Sequence, residues 1–167
     1  MEGDEVIRVI GALEARGIPA GITGGWGIDA LLGEQTRRHG DVDLGIDARS
    51  VAQAIGALAE LGYAVATDAR PARVELVAAN GRVDLHPVRW QADGSGIQLG
   101  VADERFVYPA GSLEAGGTIA GQAVKCGTPA LQLAFHSHYP PRPHDRRDMA
   151  ALADRFGLSL PASYSEP

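Results

Sequence analysis

The stretch "IPAGITGGWGIDALLG", residues 18–33, restricts the fold more than any other part of the chain. "IPAGIT" reads as a short buried strand that runs into Gly24-Gly25. "WGIDALLG" reads as a helix that starts directly after the glycines and stops at Gly33. A basic loop follows, and then "DVDLGI". There Val42, Leu44 and Ile46 alternate with Asp41 and Asp43, the period of a half-buried strand.

The rest of the chain supplies partners for these elements. "DEVIRVIGALEARG" spaces Val6, Val9, Ile10 and Leu13 as one helix face and ends at Gly17. "SVAQAIGALAELG" predicts a second helix, with Ser50 as N-cap, a stripe of Val51, Ala54, Ile55, Leu58 and Leu61, and Gly62 as the stop. "YAVAT" is a candidate strand. In "RVELVAANGRVDLHPV" two β-type runs flank Asn80-Gly81, which predicts a hairpin. Its second run turns Val83 and Leu85 one way, Asp84 and His86 the other. Residues 91–122 read as loops with short strands. "TPALQLAFHSHY" predicts a helix capped by Thr128 with Pro129 at its first position. "PPRPH" breaks it, and "DRRDMAALADRFG" predicts a last helix with Met149, Leu152 and Phe156 inward. This order predicts an α+β (α/β) fold, a small mixed sheet packed with helices. We expect one domain over 1–167, a core over 1–122 and C-terminal helices over 123–167.

Composition excludes several classes. The 167 residues suffice for one core, and with aromatics at 5% aliphatic side chains must fill it. A net charge of -6 disfavours general nucleic-acid binding and suits a small, cationic substrate. The single cysteine, Cys126, fits a reducing compartment, no apolar run is long enough for a membrane span, and "MEGDEVIRVI" does not read as a signal peptide. We expect an unprocessed cytoplasmic protein.

Asp41 and Asp43 leave the same face of their strand, with Cβ atoms ~6.5–7 Å apart. Carboxylates this close repel unless a cation lies between them, and Mg²⁺ favours such oxygen ligands. Asp84 has the same pattern of apolar neighbours. If its strand lies beside the first, all three carboxylates converge, as two-metal phosphoryl transfer requires. Gly24 and Gly25 open backbone N–H groups at a helix N-terminus to a phosphate, and Arg37 and His39 lie close by in sequence. Each piece also has a plain structural reading, as a turn, a solvated strand face or a charged loop. The order strand, Gly-Gly, helix, basic loop, Asp-x-Asp strand and later Asp strand is what carries specificity. Glu75, His86 and His136 read as satisfied polar residues, and Trp90, Phe106, Tyr108 and Tyr139 mainly as packing.

"GGWGIDALLGEQTRRHGDVDLGID" resembles the signature of the small antibiotic nucleotidyltransferases of the DNA polymerase β superfamily. The likeness is strongest to lincosamide nucleotidyltransferases and close to aminoglycoside 2″-adenylyltransferases, with "DLHP" and "FHSHY" on the lincosamide side. It implies the nucleotidyltransferase fold. Gly24 and Gly25, helped by Arg37 and His39, would hold the phosphates of ATP or another NTP. Asp41 and Asp43 would bind Mg²⁺, and Asp84 would be the third carboxylate, acting as metal ligand, base toward an acceptor hydroxyl, or both. The acceptor would be a lincosamide, an aminoglycoside or another small metabolite. A homodimer is expected, because a small domain offers one wall of a pocket. A non-catalytic nucleotide-binding or toxin–antitoxin module on the same fold is the alternative of a different class, and three intact carboxylates argue against a dead enzyme.

Overall fold

The computed structural model describes residues 1–100 and 104–164. Its helices are α1 (Gly3–Glu14), α2 (Gly24–Leu32), α3 (Val51–Ala59), α4 (Pro129–His136) and α5 (Pro143–Phe156). The strands are β1 (Ala20–Thr23), β2 (Asp41–Asp47), β3 (Ala64–Ala69), β4 (Arg73–Ala78), β5 (Gly81–Trp90), β6 (Gly96–Leu99), β7 (Arg105–Tyr108), β8 (Ala115–Ile119) and β9 (Gln122–Cys126). Short 3-10 turns cover Ala48–Ser50 and Ala162–Tyr164.

Seven strands run in the order β3-β4-β5-β2-β1-β9-β8, and β6 and β7 continue from the far end of β5. The sheet is mixed: β2 pairs with β5 and β1 with β9 in parallel, while β1 and β2 are antiparallel. One face is apolar. Val42, Leu44 and Ile46 of β2, with Val83 and Leu85 of β5 and Val74 and Leu76 of β4, pack against Val6, Val9 and Leu13 of α1 and Ala54 and Leu58 of α3. Each large aliphatic side chain removed from water there contributes ~1.5–3 kcal/mol. The period-2 alternation then forces Asp41 and Asp43 onto the opposite face. A smaller core, Ile28 with Met149 and Leu152, fixes α5 to α2.

Most elements match the expectations, and the differences have local causes. Ser50 precedes α3, but its hydroxyl makes no capping bond among the described residues. The 3-10 turn before α3 is capped instead by Asp47, which accepts from the Arg49 N–H at 2.8 Å. The hairpin forms one residue earlier than expected: Ala78 pairs with Gly81, so Ala79-Asn80 make the turn and Gly81 opens β5 at φ 144°. Helix α5 includes Pro143 and His144, because proline suits a first helical turn. Phe156 at its end is 40% exposed rather than inward. Strand β9 begins at Gln122 and runs to Cys126, so the sheet continues across the boundary expected after residue 122. Among the described residues no helix is long and apolar enough to cross a membrane.

Candidate active site

The parallel register of β2 and β5 sets Asp43 directly opposite Asp84. The neighbouring strands extend that row, with Thr23 of β1 opposite Asp43 and Glu75 of β4 opposite Asp84. Three carboxylates thus lie side by side on the polar face of the sheet. Like charges in such positions are unfavourable without a compensating cation.

Asp84 is the most enclosed of them, 6% exposed. Its Oδ2 accepts from Arg73 Nη1 at 3.3 Å, and its Oδ1 is buried with no partner among the described residues. Burial, and then the charge of Asp43, raise its pKa from 3.8 to about 6, against smaller opposing effects of His86 and Arg73. An orphaned carboxylate oxygen of raised proton affinity, beside a second carboxylate, fits a hard divalent cation. Asp43, Asp84 and His86 each bring one potential ligand atom within 4.8 Å of the others. Asp41 lies outside that group, one pleat repeat further along β2 and opposite Arg82.

The start of α2 closes one side. Gly24 has φ +61°, a conformation costly for residues with a Cβ. A Cβ there would overlap Asp43 Oδ2 and lie 3.0 Å from Asp43 Cγ. The absent side chain lets the helix N-terminus sit on the Asp43 carboxylate. A Cβ on Gly25 would fall 2.6 Å from His39 Cε1 and 2.8 Å from Arg37 Nη2. Both basic residues therefore flank the helix start.

Each basic residue is held by a carboxylate that sequence reading did not single out. Arg37 Nε donates to Asp148 Oδ2 of α5 at 3.0 Å, and its Nη2 is 2.9 Å from the same oxygen. His39 is buried, its Nε2 is 2.5 Å from Asp29 Oδ2, and its ring leans on Trp26 at 4.8 Å between centroids. Thr36 donates to the other Asp29 oxygen at 2.6 Å.

The structure also draws in His86, which the sequence left as a satisfied polar residue. Its Nε2 is 3.0 Å from Asp43 Oδ1 and its Nδ1 is 2.9 Å from Gln98 Nε2. The available signal was the period-2 pattern of "DLH", which puts His86 on the face of Asp84. His136 lies elsewhere, on α4, its Nδ1 donating to the Gln132 carbonyl at 2.8 Å. Tyr108 and Phe106 pack edge-on against Phe135, whereas Trp90 and Tyr139 are 38% and 37% exposed. Leu113 covers Gly21 and Gly45, and beside it a cavity of about 830 Å³ opens along the far ends of β1 and β2.

The sequence model of the aminoglycoside-2″-adenylyltransferase family matches residues 5–152. A lincosamide resistance protein of Staphylococcus haemolyticus is 29% identical over 149 residues, covering 89% of this chain and 92% of that protein. A 2″-aminoglycoside nucleotidyltransferase of Escherichia coli is 29% identical over 134 residues, 72% of this chain and 64% of that protein. Among solved structures, the lincosamide antibiotic adenylyltransferase LnuA with lincomycin bound superposes with a TM-score of 0.78 at 29% identity, covering 89% of this chain and 94% of that one. The antibiotic-resistance factor ANT(2″)-Ia, in complex with adenylyl-2″-tobramycin, shares the fold, with a TM-score of 0.74 at 23% identity over 93% of this chain and 89% of that one.

Proposed function

The chain belongs to the aminoglycoside-2″-adenylyltransferase family and is a nucleotidyltransferase, and on that premise we propose that it transfers AMP from ATP to a hydroxyl of a lincosamide antibiotic. The observation that carries the reading is the Asp43–Asp84 pair, set in register beneath the glycine-opened start of α2. A lincosamide is favoured over an aminoglycoside because the lincosamide resistance protein is matched over 92% of its length against 64% for the aminoglycoside relative, and LnuA is 29% identical against 23% for ANT(2″)-Ia.

In this reading Asp43 and Asp84 hold Mg²⁺, with Asp41 joining from the same strand face. Such a cation neutralises charge on the transferring phosphoryl group and the leaving pyrophosphate. Gly24 and Gly25 present backbone N–H groups to the phosphates, and the helix dipole favours their charge. Arg37, braced by Asp148, adds a cation beside Gly25, and His39, braced by Asp29, offers its Nδ1 edge on the same side. Asp84 takes the proton of the acceptor hydroxyl, its Oδ1 having no partner among the described residues. The freed oxygen attacks the α-phosphorus, the bond to the bridging oxygen breaks, and pyrophosphate leaves. The protein acts in the cytoplasm as a homodimer, a second copy completing the acceptor pocket.

Mass spectrometry tests the proposal. The purified protein with Mg²⁺ is offered ATP, GTP, CTP or UTP with a panel of lincosamides and aminoglycosides. The expected result is one adenylate added to a lincosamide. Adenylation of aminoglycosides alone would move the acceptor class, as the Escherichia coli relative suggests. No adduct on any acceptor would overturn the antibiotic reading.

A further inference from the structure

Behind His86 runs a line of hydrogen bonds with fixed polarity. The Ala72 carbonyl can only accept, and it lies 3.1 Å from Gln98 Nε2. That contact fixes which end of the Gln98 amide is nitrogen. The opposite end, Oε1, accepts from the Tyr108 hydroxyl at 2.7 Å. Gln98 and Tyr108 are both buried, so neither readily exchanges these partners for water. The second hydrogen on Gln98 Nε2 points to His86 Nδ1 at 2.9 Å, so Nδ1 must be the ring's lone-pair nitrogen. The proton of neutral His86 therefore sits on Nε2, facing Asp43 Oδ1 at 3.0 Å.

We propose that Gln98, clamped by Tyr108 and the Ala72 carbonyl, is a positioning residue that fixes His86 in its Nε2–H form, so that His86 donates to Asp43 and is not a metal ligand. The assignment rests on the cation-binding reading of Asp43. His86 lies close enough to both carboxylates to be counted among possible ligands. Its outward nitrogen, however, carries a hydrogen rather than a lone pair. Its effect is to pin Oδ1 and the carboxylate plane, leaving Oδ2 beside Gly24 for other partners. Partners of this kind typically change metal affinity or activity ~10–100-fold when removed. The line also assigns work to β6 and β7: they carry Gln98 and Tyr108 to the back of the site.

The test reads the imidazole nitrogens directly. Histidine-¹⁵N protein, free of metal and nucleotide, is examined at pH 8 by long-range ¹H–¹⁵N correlation, with His86 assigned through His86→Asn. A pyridine-type Nδ1 and a pyrrole-type Nε2 are expected, and that pattern should survive addition of Mg²⁺. In Gln98→Glu the new carboxylate has no hydrogen to donate, so Nδ1 takes a proton and moves to the pyrrole range. The same variant should lose ~10–100-fold in kcat, while KM for ATP changes less than threefold. Tyr108→Phe, which keeps the ring and drops the donor, should give a smaller kcat loss. A wild-type proton on Nδ1, or loss of the Nε2–H signal on adding Mg²⁺, would overturn the assignment. Because the tautomer is read without any reaction, it can stand where transfer to every acceptor fails, and fail where transfer succeeds.

Discussion

Asp84 should weaken the metal-free protein that contains it. Folding takes this carboxyl from water into a site where burial and the Asp43 charge raise its pKa from 3.8 to about 6. Folded protein thus keeps its proton up to about pH 6, while the unfolded chain releases it near 3.8. Between those values the folded state binds more protons, so stability falls as pH rises. Below the window there is no penalty, and above it the penalty is complete. At 1.36 kcal/mol per pKa unit the penalty is about 3 kcal/mol. Asp84→Asn keeps the shape and removes the charge. In EDTA at pH 8 the variant should melt roughly 6–12 °C above wild type, using ~2–4 °C per kcal/mol for a chain of this size. At pH 4 the gain should nearly vanish. Mg²⁺ should then raise the melting temperature of wild type more than that of the variant, because binding to the folded state alone stabilises it. Transfer activity should be lost in Asp84→Asn at every pH. A variant no more stable than wild type at pH 8, or one whose gain is the same at pH 4 and 8, would refute the reasoning.

Two further substitutions probe the approach of helix to strand. Gly24→Ala places a methyl group where Asp43 Oδ2 now lies, at a φ costing ~1–2 kcal/mol for alanine. Circular dichroism should show the fold retained while kcat falls ~100-fold, the usual scale for misplacing a reacting group by about 1 Å; near-normal kcat would show that Asp43 can shift without consequence. Arg37→Ala should raise KM for ATP roughly 10–100-fold by removing a charge-assisted contact to phosphate. Asp148→Asn, which loosens the guanidinium without removing it, should raise KM less, and an unchanged KM in Arg37→Ala would place Arg37 outside the nucleotide site.

Much of the fold is legible because its elements carry strong local signals. The alternation around Asp41 and Asp43, the stripe of α1 and the Thr128-Pro129 cap each specify geometry within a few residues. What eluded the sequence depended on distant partners. The Asp43–Asp84 pairing could be stated only as a condition, since it requires β2 to lie beside β5. His86 was read as a bland polar residue because its importance lies in Gln98 and Tyr108, on two strands read only as part of an irregular segment. Asp29 and Asp148 gave no signal, because a carboxylate on a helix looks alike whether it faces water or braces a histidine or arginine. Phe156 fits its helical stripe, but the stripe does not reveal where the neighbouring core ends.

The parallel junction of β2 and β5 also sets an order of events. Parallel neighbours need a crossover connection, and here α3 and the strands β3 and β4 must be traversed between Asp43 and Asp84. During synthesis β2 emerges with only half of the carboxylate pair, and the other half arrives after the whole crossover. The proposed cation site is therefore absent from any partly made or locally collapsed chain and forms only once this distant pairing has closed. Contacts of such long sequence separation tend to form slowly. Divalent-cation binding, followed during refolding, would thus time the closure of the central sheet rather than the formation of its helices.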